Sequence, residues 1–335
     1  MTQPHSESGR RGHWTAADVP DQSGRVIVVT GANAGIGLEI SEVLARRGAH
    51  VVLACRDLDR AKAAADRIAA AGRAARGSAR SAADRPAAPS VVRLDLSSLS
   101  SVRTAADEIC ARFPRVDVLI NNAAVMEVPY ERTADGFELT LATNHLGPFA
   151  LTGLLLERLA STPGSRVVTM SSQGHTGGVI RFDDLQSEDS YDPPGAYFQS
   201  KLANLLFTYE LDRRLRAAGA RTSALAAHPG VVYTALFRHR PRLEQVLLSR
   251  WGRPVNFRAV QNVHRGALPM LRAATDPAAR GGEFYGPHRR HDTGYPVIVQ
   301  SSPSSYDADD QARLWEVSER LTGVSYTFGT EPALP

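Results

Sequence analysis

Tyr197 and Lys201 are the side chains in this sequence best suited to acid–base chemistry. They lie four residues apart in a segment with helical spacing, so both project from one face of the helix. A free tyrosine has a pKa of about 10, and a nearby ammonium lowers that pKa by stabilising the phenolate. Lys62 and Lys201 are the only lysines among 39 Lys and Arg residues, which favours a specific role for Lys201. The spacing predicts a tyrosine that gives or takes a proton.

A second group of residues has the composition of a phosphate-binding turn. Gly31, Gly35 and Gly37 follow the β-branched run Arg25–Thr30 and precede the helical pattern Ile36–Arg47. Glycines at a strand–helix turn let a phosphate approach backbone N–H groups at the helix N-terminus. The G-x-x-x-G-x-G spacing differs from the commonest dinucleotide fingerprint, and an ordinary tight turn also uses glycines. The strand–helix context favours the nucleotide interpretation.

Strand and helix patterns alternate along most of the chain. Runs that are apolar on both faces and separated by helices indicate parallel strands covered on both sides. We therefore predict an α/β, doubly wound Rossmann fold with a parallel sheet of about seven strands, in a single domain over residues 25–328. The predicted strands are Arg25–Thr30, His50–Cys55, Val91–Leu94, Val116–Ile120, Arg166–Met170 and Thr222–Ala227. The predicted helices are Ile36–Arg47, Leu58–Ala70, 99–112, 134–160, 196–218 and 309–322.

Three segments depart from this alternation. Residues 1–24 are polar and predict a flexible tail anchored by Trp14 and Val19-Pro20. Residues 69–90 are rich in Ala and Arg without an apolar period, which predicts a loop insertion. Residues 230–300 carry many Pro, Gly and Arg, and we expect a substrate-side lid with short helices. Its arginines indicate a solvated face, or a site for an anionic substrate tail.

The composition excludes several classes of protein. Hydrophobic residues make up 43% and charged residues 22%, as in ordinary globular domains. No apolar run approaches the ~20 residues that span a bilayer, and the polar start has no secretory signal. Cys55 and Cys110 form neither a disulfide framework nor a metal pattern. The net charge of +4 comes without a nucleic-acid-binding motif. We expect a cytoplasmic protein with a small-molecule substrate, and neither a membrane nor a nucleic acid as partner.

Several motifs in consistent order resemble the short-chain dehydrogenase/reductase family, from Gly24 to Phe328. Ala124 replaces the glycine that ends the family's Asn-Asn-Ala-Gly motif, an exchange between two small residues. Finer similarity, as in Ser-Lys-Leu-Ala-Asn204, resembles the retinol dehydrogenase and WW-domain oxidoreductase branch. The matching segments are Thr30–Gly37, Asn121–Ala124, Asn144, Ser171-Ser172, Tyr197-x-x-x-Lys201 and His228–Thr234.

The resemblance implies catalytic roles for four residues. Tyr197 would exchange a proton with the substrate oxygen while hydride moves to or from a nicotinamide. Ser172 would hydrogen bond to the same oxygen, and it is favoured over Ser171 because the wide gap between Ser172 and Tyr197 resembles that of the retinol dehydrogenase branch. Lys201 would hold the cofactor ribose and lower the pKa of Tyr197. Asn144 would connect Lys201 to a chain of water molecules that resupplies the proton.

The residue after the second strand bears on the choice of cofactor. Arg56 stands where an acid binds the ribose hydroxyls of NAD, and a guanidinium pairs well with a 2′-phosphate. Asp57 follows at once and would serve NAD if the turn shifted by one residue. We expect NADP(H) rather than NAD(H). The expected cofactor-binding residues are Gly31, Asn33, Gly35, Ile36, Gly37, Arg56, Asp95, Leu96, Asn122, Ala123, Tyr197, Lys201, Pro229, Gly230, Val232 and Thr234.

The resemblance leaves alternatives open. The same fold serves epimerases, lyases and non-catalytic nucleotide-sensing proteins, but the complete set of four catalytic candidates favours carbonyl–alcohol interconversion. Apolar residues such as Val231, Leu236 and Trp251 indicate a largely apolar substrate, or merely the packing of a lid helix. A lone His228 reads as a pocket-lining or structural residue, and we expect no metal. A homodimer is one expectation, because helices 134–160 and 196–218 form dimer faces in many relatives.

Overall fold

Eight strands form the centre of the computed structural model, which describes residues 13–75, 88–232, 261–289 and 293–328. They are β1 Val26–Thr30, β2 His50–Cys55, β3 Ser90–Arg93, β4 Val118–Asn121, β5 Arg166–Met170, β6 Ser223–Ala227, β7 Phe284–Arg289 and β8 Thr293–Ile298. Their order in the sheet is β3-β2-β1-β4-β5-β6-β7-β8. All neighbours are parallel except β7 and β8, which pair antiparallel. The predicted doubly wound α/β fold is confirmed.

Helices cover both faces of this sheet. They are α1 Gly35–Arg46, α2 Leu58–Ala75, α3 Leu99–Arg112, α4 Leu139–Leu141, α5 Gly147–Leu154, α6 Leu156–Ala160, α7 Pro193–Ala217, α8 Val263–Thr275 and α9 Ala308–Thr322. One apolar core lies between the sheet and α1, α2 and α8, and a second lies between the opposite face and α3, α5, α6, α7 and α9. Within the described ranges, none of the helices has the length and hydrophobicity required to cross a bilayer.

The central strands are buried on both faces. In β1, Ile27 and Val29 belong to the core beneath α1, whereas Val28 belongs to the opposite core. All three are fully buried. A strand covered on both sides requires apolar residues at consecutive positions, so the sequence pattern lacks the alternation of a half-exposed strand.

The strand order determines where a ligand can bind. β1 lies between β2 and β4, so the chain builds one half of the sheet and then crosses over to build the other. Doubly wound sheets bind ligands at this switch point, outside the carboxyl ends of the strands. The turns that follow β1, β4, β5 and β6 meet at that edge, because these strands are parallel.

Part of the segment expected to be a lid has regular secondary structure. The sheet has eight strands, close to the predicted number of about seven, and this segment contributes β7 and β8. Helix α8 also falls in that segment and packs on the core beside α1. Proline obscured the pattern: β8 contains Pro296 and lies at the sheet edge, where a missing N–H is tolerated. Residues 233–260 of the expected lid lie outside the described residues.

Two further boundaries differ from prediction. Helix α2 continues to Ala75 rather than ending at Ala70, because its run of alanines has a high helix propensity; the part of the predicted insertion at 76–87 lies outside the described residues. Residues 13–24, expected to be a flexible tail, are packed against the domain. Thr15 caps a short 3-10 helix through a capping box, and Val19 is 1% exposed.

Candidate active site

The turn after β1 combines left-handed glycines with the start of α1. Gly31 and Gly35 have φ values of +65° and +54°, which residues with a side chain rarely adopt. Asn33 is half-buried in this turn, and Ile36 packs into the core behind it. Helix α1 begins at Gly35 without a side-chain cap and without an acidic residue in its first turn. The amides of that turn therefore face no competing side chain, as in phosphate-binding helices.

Gly37, the third glycine of the turn, packs so closely against the end of β4 that no side chain fits there. A Cβ atom at Gly37 would lie 2.5 Å from Asn122 Nδ2 and closer still to the Gly31 carbonyl oxygen. Asn122 Nδ2 donates to the Thr30 carbonyl oxygen at 2.8 Å, and Thr30 Oγ1 accepts from the backbone N–H groups of Asn122 and Ala123 at 3.0 Å each. The ends of β1 and β4 are thus tied together beneath the glycine turn. Thr30 was not among the predicted site residues, although it stands in the quoted motif.

Tyr197 and Lys201 lie side by side near the start of α7, as their spacing predicts. Asp192 caps this helix by accepting from the Gly195 N–H at 2.8 Å. Tyr197 is 7% exposed and Lys201 is 2% exposed. Lys201 Nζ lies 5.5 Å from the centroid of the Tyr197 ring and donates to the Met170 carbonyl oxygen at 3.3 Å. Burial lowers the pKa of Lys201 to about 7, because removal from water disfavours the charged ammonium.

The two serines after β5 have different surroundings. Ser171 is buried, and its hydroxyl donates to the Lys201 carbonyl oxygen at 2.8 Å, so it anchors α7 to the sheet. Ser172 is half-buried, and its hydroxyl oxygen accepts from the Gly174 N–H at 3.1 Å. The Ser172 hydroxyl hydrogen is therefore left to donate to a ligand. This arrangement supports Ser172 as the site serine.

Asn144 lies in a break of the predicted helix 134–160. That segment is α4, a π-helical turn at Ala142–Leu146, α5 and α6, and π-helical turns often occur at functional sites. Asn144 Nδ2 donates to the Val125 carbonyl oxygen at 2.9 Å and to Ser200 Oγ at 3.0 Å, while Oδ1 accepts from the Val125 N–H at 2.8 Å. The side chain therefore connects the loop after β4 to α7, rather than contacting Lys201 directly.

A buried polar chain behind Lys201 was missed by the sequence analysis. The Met170 carbonyl oxygen accepts from Asn204 Nδ2 at 3.0 Å as well as from Lys201. His145 lies beside Asn204, and its Nε2 atom lies 2.8 Å from Ser318 Oγ. Burial lowers the pKa of His145 to about 4, because removal from water disfavours the charged imidazolium, and the Asn204 side chain acts in the opposite direction. Both residues stand in quoted motifs, but only the fold brings them together.

Arg56 and Asp57, the two candidates for recognition of the adenosine ribose, have different contacts after β2. Asp57 Oδ1 accepts from the Arg60 N–H at 3.0 Å, and its Oδ2 lies 3.3 Å from Arg60 Nε. Asp57 therefore caps the start of α2 and pairs with a residue of the same helix. Arg56 is exposed at the carboxyl end of β2 and has no ion pair with the described residues.

The turn after β3 carries the pair expected near the adenine. Asp95 Oδ1 accepts from the Ser97 N–H at 3.0 Å and from Ser97 Oγ at 2.6 Å, which fixes its carboxylate at the sheet edge. Leu96 is 5% exposed. A Cβ atom at Gly147 would lie 2.9 Å from Leu96 Cβ, so α5 packs directly on this turn.

The turn after β6 closes the same edge of the site. Pro229 and Gly230 follow the fully buried His228, and the Gly230 N–H donates to His228 Nδ1 at 3.2 Å. Gly230 has a φ of +67°, and Val232 is 5% exposed. Thr234, the last expected cofactor contact, lies outside the described residues. In the parts of the chain that the structure describes, no three His, Cys, Asp or Glu side chains cluster as metal ligands.

Comparison with known sequences places these features in a family. The profile of the family described as short chain dehydrogenase matches residues 25–244. Human retinol dehydrogenase 13 is 38% identical over 317 residues, which cover 93% of this chain and 88% of that protein. Human retinol dehydrogenase 12 is 41% identical over 306 residues, which cover 90% of this chain and 88% of that protein.

Solved structures agree with this result. A crystal structure of a Mycobacterium paratuberculosis protein is 42% identical, with a TM-score of 0.75, and covers 94% of this chain and 100% of that one. A Beutenbergia cavernae structure, described as a candidate NAD(P)-dependent gluconate 5-dehydrogenase with bound NADP at low occupancy, is 26% identical. Its TM-score is 0.58, and it covers 79% of this chain and 96% of that one. The chain therefore belongs to the short-chain dehydrogenase family of oxidoreductases, in the branch that contains the retinol dehydrogenases.

Proposed function

We propose that this protein is an NADP(H)-preferring oxidoreductase that interconverts a carbonyl and an alcohol on a largely apolar small molecule. The observation that carries the proposal is the water-excluded pair formed by Tyr197 and Lys201, with the ammonium 5.5 Å from the ring centroid. The tyrosine supplies a proton, and the lysine beside it supplies a cation that stabilises the phenolate. This combination suits protonation of a carbonyl oxygen that accepts hydride from a bound cofactor.

The residues at the switch point suit a dinucleotide. The uncapped first turn of α1 and the glycines at 31, 35 and 37 leave room and amide donors for a pyrophosphate. Asn122 and Ala123 hold the end of β4 against this turn. Pro229, Gly230 and Val232 cover the opposite side of the site, where the nicotinamide would lie.

The proton path follows from the contacts of the site residues. A bound NADPH would supply the hydride to the carbonyl carbon. The Tyr197 hydroxyl would donate its proton to the carbonyl oxygen, and the Ser172 hydroxyl would hydrogen bond to that oxygen. Lys201 would stabilise the phenolate that remains. Asn144 would hold the loop after β4 against α7, through Val125 and Ser200.

Arg56 supports the preference for NADP(H). Its guanidinium is exposed at the end of β2, where the 2′ position of the adenosine ribose would lie. The acid that would recognise NAD, Asp57, already caps α2 and pairs with Arg60. A 2′-phosphate would therefore meet an available cation rather than an available carboxylate.

The relatives suggest the class of substrate. Retinol, named in the relatives, is a largely apolar primary alcohol, so retinal and medium-chain aldehydes are suitable probes. The expected apolar lining between Val231 and Trp251 lies mostly outside the described residues. We propose an apolar aldehyde or ketone as the substrate, and leave the choice among them to an activity panel.

Tyr197→Phe tests the proposal directly. We expect wild-type protein to oxidise NADPH when an apolar aldehyde is added, with one alcohol formed for each NADPH consumed. The variant should lose at least about 100-fold in kcat, because a positioned proton donor contributes that much. Tyr285→Phe is the matched control: its hydroxyl hydrogen bonds to Glu283 at 2.6 Å and takes no part in the proposed chemistry.

Three results would contradict parts of this proposal. If Tyr197→Phe stays within about threefold of wild type, the assignment of the proton donor is wrong. If the substrate is converted without net consumption of NADPH, the protein is an epimerase or a lyase rather than a reductase. Binding of NADPH without conversion of any aldehyde or ketone in the panel would indicate a nucleotide-sensing protein.

A further inference from the structure

His175 occupies a buried position directly behind the site serine. It lies in the 3-10 turn Gln173–Gly177 that Ser172 begins, and it is 1% exposed. Its Nδ1 atom lies 2.6 Å from the Ser172 carbonyl oxygen. Its Nε2 atom lies 3.0 Å from the Ser302 backbone nitrogen, in the segment between β8 and α9. The ring therefore bridges two segments that are far apart in the sequence.

These contacts determine the tautomer of the ring. A carbonyl oxygen can only accept a hydrogen bond, so Nδ1 must carry the hydrogen. A backbone N–H can only donate, so Nε2 must present its lone pair to Ser302. The Phe284 ring packs against the imidazole edge to face, with the centroids 5.5 Å apart. These contacts hold the His175 ring in one orientation.

The 3-10 turn Gln173–Gly177, with Ser172 as its N-cap, is called the serine turn here. It packs against α7 as well as being held by His175. The Ser172 hydroxyl oxygen accepts from the Gly174 N–H at 3.1 Å. A Cβ atom at Gly174 would lie 2.6 Å from the ring of Phe198, the residue after Tyr197. The turn is thus pressed against the helix that carries the proton donor. A shift of the Ser172 backbone would change the geometry between the serine hydroxyl and the tyrosine.

The far partner of His175 is itself anchored. Ser301 Oγ lies 2.8 Å from Tyr209 Oη of α7 and 2.6 Å from Ser305 Oγ. Gln311 Nε2 of α9 donates to the Ser305 carbonyl oxygen at 2.9 Å. The segment that His175 contacts is therefore tied to two helices, and it offers a rigid support for the serine turn.

We propose that His175 is a positioning residue that fixes the backbone of Ser172 relative to Tyr197, with the segment at Ser301–Ser305 as its support. This inference rests on the proposed function, because it assigns a role that matters only if Ser172 orients the substrate oxygen. His175 does not touch the substrate. It acts by holding the Ser172 carbonyl, so that the hydroxyl keeps the direction set by Gly174.

His175→Asn and His175→Gln distinguish a role in positioning Ser172 from a general effect on stability. In His175→Asn the amide nitrogen takes the place of Nδ1, so it can still donate to the Ser172 carbonyl oxygen. In His175→Gln the amide oxygen reaches the Ser302 N–H, but no donor remains near Ser172. We expect Asn to keep kcat within about threefold of wild type and Gln to lower it at least about tenfold, the effect of one hydrogen bond. The Kd for NADPH, measured by fluorescence titration, should be unchanged in both.

A double-mutant cycle with Ser172→Ala completes the test. When the serine hydroxyl is absent, His175→Gln should change the remaining kcat by less than about twofold, because residues that act as one unit are not additive. Equal loss in the Asn and Gln variants, or the full Gln effect in the Ser172→Ala background, would overturn the inference while leaving the proposed function intact. Wild-type protein without carbonyl reductase activity would overturn both.

Discussion

The ammonium of Lys201 lies 5.5 Å from the centroid of the Tyr197 ring and 3.3 Å from the Met170 carbonyl oxygen, and the side chain is 2% exposed. Lys201→Arg keeps the positive charge, but a planar guanidinium cannot occupy the compact position of an ammonium between the cofactor ribose and Tyr197. We expect kcat/KM for aldehyde reduction to fall at least about 100-fold, in line with disruption of acid–base catalysis. Steady-state kinetics with NADPH and an apolar aldehyde provide the measurement.

The other lysine of the chain supplies the control for this substitution. Lys62 is exposed on α2, so Lys62→Arg should leave kcat/KM and thermal stability unchanged. An active Lys201→Arg enzyme would show that any buried cation suffices beside Tyr197. The argument from the rarity of lysine would then be wrong.

Arg56→Ala tests the proposed contact between the Arg56 guanidinium and the 2′-phosphate of NADPH. The substitution removes the proposed partner of the 2′-phosphate, so we expect the Kd for NADPH to rise about 10- to 100-fold, as for loss of a charge-assisted pair. The Kd for NADH should change by less than about threefold, because NADH lacks that phosphate. Calorimetric titration of both cofactors checks this, with Arg320→Ala, an exposed arginine on α9, as the control. Equal weakening of both cofactors would contradict the assignment.

At the scale of elements, the junction between β1, α1 and β4 requires a glycine at position 37, because there is no space for a side chain there. Gly37→Ala would place a Cβ atom 2.5 Å from Asn122 Nδ2, and the turn would have to move away from the end of β4. We expect the Kd for NADPH to rise at least about tenfold, together with a lower melting temperature, as for overpacking of a tight contact. Fluorescence titration and thermal denaturation measure the two effects.

Gly164→Ala distinguishes this effect from general destabilisation. Gly164 has a φ of +74°, and no atom lies within 4 Å of the position of its Cβ. It precedes β5, at the edge of the sheet opposite to the site. The substitution introduces backbone strain of about 1 kcal/mol, so stability should fall while the affinity for NADPH is retained. If Gly37→Ala likewise loses stability alone, the β1–α1 turn does not hold the cofactor.

For the whole molecule, the buried Lys201 couples stability to pH. Its pKa is about 7 in the folded protein, and about 10.4 in an unfolded chain. Between these values the unfolded chain binds more protons, so this group makes the folded state more stable as the pH rises. Burial raises the pKa of the Cys55 thiol to about 11, whereas an unfolded cysteine has a pKa of about 8.5. Above pH 8.5 the folded state therefore binds more protons at Cys55, and this group lowers the stability as the pH rises. The window for Lys201 is therefore roughly pH 7 to 8.5.

Comparison with Lys201→Met isolates this contribution. The methionine has no proton to lose, so the variant should be more stable than wild type at pH 7 in the absence of cofactor. The difference in melting temperature should shrink as the pH rises toward 8.5. A difference that stays constant across this range would mean that Lys201 does not change its protonation on unfolding.

Much of the fold and the candidate site is readable from the sequence because the signals are local. Apolar runs buried on both faces predicted the parallel strands, and the glycines at 31, 35 and 37 predicted the turn that begins α1. The four-residue spacing of Tyr197 and Lys201 placed both on one helix face. These properties depend on backbone conformation and helix periodicity, which neighbouring residues determine.

The partners of the site residues were decided by tertiary structure alone. Ser171 and Ser172 are chemically identical, and only the approach of the Lys201 carbonyl oxygen assigns one of them to a structural hydrogen bond. Asn144 binds Val125 and Ser200, and His175 reaches Ser302, across separations that no local pattern reports. Strands β7 and β8 were not predicted from the sequence, because Gly and Pro interrupt their apolar pattern. Only their pairing in the sheet, β7 with β6 and β8 with β7, identifies them as strands. Hydrogen bonds between distant segments form only after the chain is folded, so residue type and spacing cannot specify them.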